Sequence, residues 1–150
     1  MATYTKYQTF ISDVFGKVHD LVGTAGSTAD VVKVGLSNAA PNVATHTVRA
    51  DVTELGTANG YTSGGQSTAN TSGASSGTLT VTATNVTWTA SGGSIGPFQY
   101  VFAYNDTPTS PADPLIAYWD YGSALTLNDG ESFTVKFNNG ASSGTLFTAA

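Results

Sequence analysis

Residues 95–137 read IGPFQYVFAYNDTPTSPADPLIAYWDYGSALTLNDGESFTVKF, and this stretch decides the fold. Aromatic and aliphatic residues fall there into short runs at 98–104, 115–121, 125–127 and 133–137, separated by turn formers. Such runs between Gly, Pro, Asn and Asp clusters are the mark of paired strands. Phe98, Tyr100, Phe102 and Tyr104 alternate with Gln99, Val101 and Ala103, so both faces of that run are apolar and the strand belongs in the middle of a sheet. The prolines of NDTPTSPADP end it, because proline gives no amide hydrogen to a ladder. A strand resumes at Leu115 and runs through Tyr121, Asn128-Asp129-Gly130 turns the chain, and Phe133, Val135 and Phe137 alternate after it. Asn139-Gly140 is a hairpin signal, and residues 145–148 supply a closing strand.

Working back towards the N-terminus, Val86, Trp88 and Ala90 alternate with polar residues, as do Leu79, Val81 and Ala83 with threonines. Residues 57–77 are built from Gly, Ser, Thr, Asn and Ala, with Tyr61 the one large apolar side chain. That composition predicts a long loop, assigned to residues 56–77. Residues 47–55, TVRADVTEL, space Val48, Val52 and Leu55 as a short helix or turn, with Arg49 and the span 51–54 facing water. VVKVGL at 31–36 reads as a strand with Lys33 and Gly35 directed away from Val32, Val34 and Leu36. Phe10, Ile11, Val14, Phe15 and Val18 follow helical spacing within residues 7–22, with Thr9 or Ser12 as caps and Gly16 as a weak point. Their apolar face either packs on the chain's own core or docks on a partner subunit.

The expected fold is therefore mainly β, a β-sandwich or jelly-roll-like domain with a short N-terminal helix and seven or eight short strands. The 150 residues suit a single β-rich domain over 1–150, with 1–22 as an N-terminal helical or arm segment.

Composition narrows the chemistry. There is no cysteine, which removes disulfides, thiolate catalysis and cysteine-held zinc. Charged residues make up 10% of the chain against a usual share of about 25%, so hydration falls to Thr, Ser, Asn and Gly. The net charge is −5 and the five basic residues are scattered, which opposes the clustered Lys and Arg that nucleic acid needs. No apolar run approaches the roughly 20 residues of a membrane span, and MATYTKYQTF lacks the pattern of a signal peptide. No nucleic-acid or membrane partner is expected.

Catalytic constellations are equally thin. His19 and His46 are the only imidazoles and are read as surface residues, with no GxSxG elbow to accompany them. Asp106, Asp113 and Asp129 sit in contexts that call for Asx turns. Asp120, between Trp119 and Tyr121, is the one carboxylate placed to meet a sugar. NDGE at 128–131 lacks the spacing of a calcium loop, and no phosphate-binding glycine motif is present. The reading is a non-enzymatic protein with no cofactor and no metal.

Two further stretches matter together with this one: ADVTELGTANGYTSGG at 50–65 and SGGSIGPFQYVFAYND at 91–106, followed by DPLIAYWDYGSALTLNDGESFTVKF. With VVKVGLSNAAPNVATHTV before them, their order resembles a group of small β-rich structural proteins encoded with the head genes of tailed bacteriophages. The resemblance lies in ADVTEL, NGYT, GPF, YND, DPLI and WDYG, and it brings no catalytic motif. It implies a virion component on the capsid surface, made in the host cytoplasm. The implied role is a head decoration or cement protein whose partners are the major capsid protein and further copies of itself, with a trimer as the implied state. Phe10, Ile11, Val14, Phe15 and Tyr61 are the candidate assembly contacts. A tail- or fibre-associated module that binds host-surface glycan through Trp119, Asp120 and Tyr121 is the alternative.

Overall fold

A computed structural model describes residues 2–23, 28–137 and 142–149. The chain is mainly β, with about half of it in strands and one short α-helix, and it forms a sandwich of antiparallel sheets. The elements in order are β1 (Thr3–Lys6), α1 (Phe10–Phe15), β2 (Val32–Ser37), a 3-10 turn (Arg49–Asp51), β3 (Gln66–Thr68), β4 (Asn70–Ser75) and β5 (Thr78–Thr84). Then follow β6 (Val86–Thr89), β7 (Ile95–Asn105), β8 (Leu115–Leu127), β9 (Ser132–Val135) and β10 (Ser143–Ala149).

One layer is a five-stranded sheet in the order β1-β8-β7-β2-β3. The run Phe98–Tyr104 lies at its centre, as two apolar faces require: β7 pairs with β8 on one side and β2 on the other. The second layer comes in two pieces, β10-β5-β4 and β6-β9. β5 and β6 are nearly continuous, separated by Asn85, whose side chain accepts from the Phe137 amide at 3.3 Å. A strand that changes sheets at a bend is how sandwich corners are made.

Both pieces cover the same face of the large sheet. Val32, Ala103 and Ala117 meet Val81, Ala83, Leu146 and Phe147 from β10-β5-β4, with Phe10 closing the end. Val34, Leu36 and Val101 meet Val86, Trp88 and Ala90 from the β6 side. The opposite face of the large sheet is not bare. Tyr7, Val52, Phe102, Tyr104 and Leu115 form a third cluster there. Gly35 also faces this side, where an added Cβ would meet the Phe102 ring at 2.5 Å. The expectation that Gly35 points away from the Val32 face holds, but it meets an aromatic ring there.

Two sequence expectations change here. The predicted helix over 7–22 shrinks to Phe10–Phe15, because Lys17 adopts a left-handed φ of 62° that ends it. Residues 3–6 before it form β1, which pairs with β8. The predicted loop over 56–77 contains β3 and β4. Backbone hydrogen bonds to β2 and β5 order these residues where side-chain burial alone would not. The Asn139-Gly140 hairpin lies outside the described residues.

Candidate interaction surface

α1 sorts its own side chains. Phe10 is fully buried, edge-on to Phe147 at 4.9 Å and tilted against His19 at 5.2 Å. Val14 packs against the same cluster. Ile11 and Phe15, one helical turn apart, face the other way and are 40% and 84% exposed. Of the candidate assembly contacts, then, Phe10 and Tyr61 are consumed by the chain's own core, Val14 is shared, and Ile11 and Phe15 are free to touch another molecule. Burying a side chain the size of Phe15 contributes about 2 kcal/mol, so a ridge of this kind is a strong local anchor.

His19 corrects the expectation of two surface histidines. It is 6% exposed, and its Nδ1 meets Asn105 Nδ2 at 3.2 Å, while the same Asn105 amide donates to Asp30 Oδ2 at 2.6 Å. Its Nε2 is buried with no partner. Burial lowers the imidazole to about 4, against the opposing pull of Asp30. This cluster ties the segment after α1 to the end of β7. With both nitrogens enclosed and no nucleophile in contact, it is a structural clasp.

Glu54 is a second correction. Expected to face water, its side chain is 7% exposed. Oε2 accepts from Arg49 Nε and Nη2 at 3.0 and 2.7 Å and from Ser63 Oγ at 3.1 Å. Oε1 accepts from Tyr61 Oη and the Gly64 amide, both at 2.7 Å. Tyr61 Oη in turn accepts from the Leu36 amide at 2.9 Å, and its ring rests on Trp88. Burial and the hydrogen bond to Glu54 both push the Tyr61 phenol far up. Arg49 also reaches Asp113 at 3.6 Å and lies over the Tyr104 ring. Glu54 thus pins residues 61–64 onto the large sheet. Much of the ADVTELGTANGYTSGG stretch makes this anchor, with Asp51 capping the turn through the amides of Thr47 and Val48. No period or motif announces Glu54 beforehand, since its donors come from several separate positions.

The aromatic alternative is partly assembled. Trp119 and Tyr121 project to one side of β8 and line a groove of about 240 Å³ with Phe133, Val135, Lys136 and Phe137. Trp119 also contacts Tyr4 on the neighbouring β1, at 5.5 Å. Asp120 does not join them. Its Oδ1 accepts from Gln99 Nε2 at 2.9 Å and from the Gly122 amide at 2.7 Å. Those bonds brace the outward bulge at 121–124, where the β7–β8 register jumps.

Among the described residues, no group of three or more His, Asp or Glu is placed to hold a metal, and no helix is long and apolar enough to cross a membrane. Comparison with protein-family models, curated proteins and solved structures returns no match.

Proposed function

We propose that this chain is a non-enzymatic structural protein of a bacteriophage virion, a capsid decoration or cement protein that binds and stabilises the head shell as a homo-oligomer. The observation that carries the reading is the Ile11–Phe15 ridge, an apolar anchor held out from a braced β frame. The head-protein resemblance of the 50–65 and 91–137 stretches supports it. So does the scarcity of charge, which lets broad surfaces meet a shell without trapping unpaired ions.

The test is binding to particles. Purified protein should co-sediment with heads that lack it and raise their resistance to heat, and Phe15→Ser should abolish both while the variant stays folded. Failure of the folded wild-type protein to bind any head preparation overturns the reading.

The groove beside Trp119 and Tyr121 favours a second reading, a tail- or fibre-associated module for host-surface glycan. Sugars stack on exposed aromatic faces, and Tyr121 is 49% exposed. Glycan-array binding lost in Trp119→Ala supports this, and a blank array with wild-type protein retires it.

A further inference from the structure

Sheet edges are where a β protein either blocks or invites another strand. Most outer strands here carry a block. β1 is four residues long and ends in Lys6. β3 has three residues. β6 and β9 have four each, and β9 lies between Glu131 and Lys136. β10 is broken by a register shift between Thr145 and Phe147.

β4 carries none of these. It is six residues, NTSGAS, with no charge and no proline, paired to β5 in unbroken register and outermost in its sheet. The rest of that sheet is also free of charge: β5 reads TLTVTAT and β10 reads SGTLFTA.

The turn fixes which peptide groups of β4 are available. Ser76 and Gly77 both have positive φ, 51° and 80°, so they form the two-residue type I′ turn in which the flanking pair, Ser75 and Thr78, exchanges hydrogen bonds. Alternation then makes Gly73 and Thr71 the next bonded positions. The Thr84 amide bond to the Ala69 carbonyl, at 2.9 Å, continues the same series. The N–H and C=O groups of Ser72 and Ala74 therefore point outward, away from β5. On one face of the sheet the threonines are matched across strands, with Thr71 and Thr82 hydroxyls 2.7 Å apart.

We propose that β4 is a self-association edge, at which a second copy of this chain adds its own β4 antiparallel about a two-fold axis. The pair joins the two three-stranded sheets into one six-stranded sheet. Any two-fold register that keeps the length of the strand uses the outward amides of Ser72 and Ala74. The occupant is a second copy because of charge. Each chain carries −5, so most approaches of two copies bring like charges together, whereas the β10-β5-β4 sheet brings none. A two-fold pairing also presents each edge with a strand of equal length and register, which is the isologous contact of ordinary dimers. The dimer goes beyond the capsid reading, stands without it, and differs from the trimer implied by the resemblance.

Sedimentation equilibrium of the purified chain, from low micromolar to near-millimolar concentration, reads the mass. The expected result is a concentration-dependent dimer. Ser72→Pro removes an outward amide and leaves the β4–β5 bonds intact, so it should keep the native circular dichroism and weaken the dimer by about tenfold or more. Hydrogen exchange of the wild-type protein gives a second readout that needs no variant. The Ser72 and Ala74 amides should exchange fast in dilute protein and slow as the dimer forms. A monomer at every concentration, a trimer, or a dimer whose Ser72 and Ala74 amides stay unprotected overturns the proposal.

Discussion

The Tyr61 hydroxyl donates to Glu54 Oε1 at 2.7 Å while accepting from the Leu36 amide at 2.9 Å. One phenol thereby joins a buried carboxylate, a glycine-rich loop and the middle of a sheet. Tyr61→Phe removes the link and leaves both an acceptor and an amide short of a partner. It should lower the unfolding free energy by about 1–3 kcal/mol, read from urea denaturation. Glu54→Gln should cost more, about 3 kcal/mol or above, because it puts a neutral amide where a buried carboxylate accepts five hydrogen bonds and takes from Arg49 its nearer charge partner, with Asp113 left at 3.6 Å. The Tyr61→Phe, Glu54→Gln double variant should lose less than the sum, because the two side chains share one network.

Acid should loosen the His19 clasp. The imidazole is lowered from 6.5 to about 4 in the folded chain, so between those values the unfolded state binds the proton and the folded state does not. Stability is complete above pH 6.5 and falls as pH drops towards 4, by up to about 3 kcal/mol. The check is the difference in stability between wild type and His19→Gln across that window. It should shrink steadily as the pH falls. A difference that stays constant with pH would show that His19 does not titrate in this way.

Neighbouring positions on α1 should behave oppositely. Phe10→Ala empties a fully enclosed site and should cost about 3–5 kcal/mol in thermal or urea unfolding. Phe15→Ser, at a side chain 84% exposed, should change stability by less than about 0.5 kcal/mol. Only the second should act on binding to heads without acting on folding.

Gly65 and Gly130 separate steric need from conformational need. Both have positive φ, 64° and 84°. A Cβ on Gly65 would collide with the Val34 carbonyl, whereas one on Gly130 meets open space. Gly130→Ala should cost about 1–2 kcal/mol, the strain of a left-handed residue. Gly65→Ala should cost about 3 kcal/mol or more, since the loop must leave the β2 backbone to make room. Melting temperatures of the two variants give the comparison.

Alternation along residues 98–104, 79–83 and 86–90 was enough to read the β class, the central place of β7 and the positions of several strands along the chain. Those features follow from a local period of two and from turn residues, both written in consecutive positions. The short helix was legible in type, though its length was not, because the left-handed Lys17 that stops it carries no sequence flag. β3 and β4 were missed for a different reason. Their residues bury little, and what orders them is the backbone of β2 and β5, which no composition reveals.

The candidate surface divides along the same line. Helical spacing placed Phe10, Ile11, Val14 and Phe15 on one segment, but only packing against Phe147 and His19 decided that Phe10 is core and Phe15 is not. The sequence grouped Trp119, Asp120 and Tyr121, and only the tertiary structure sends Asp120 to Gln99 and the Gly122 amide, away from the groove that Trp119 and Tyr121 line. The sequence by itself determined most of the strands from Val32 onward and which residues are apolar, because these are properties of neighbours in the chain. Tertiary structure alone decided that Glu54 is buried, that Tyr61 holds it, and that β4 is, among the described residues, the outer strand of its sheet. Each of these depends on groups brought together from distant positions, and such meetings have no period to read.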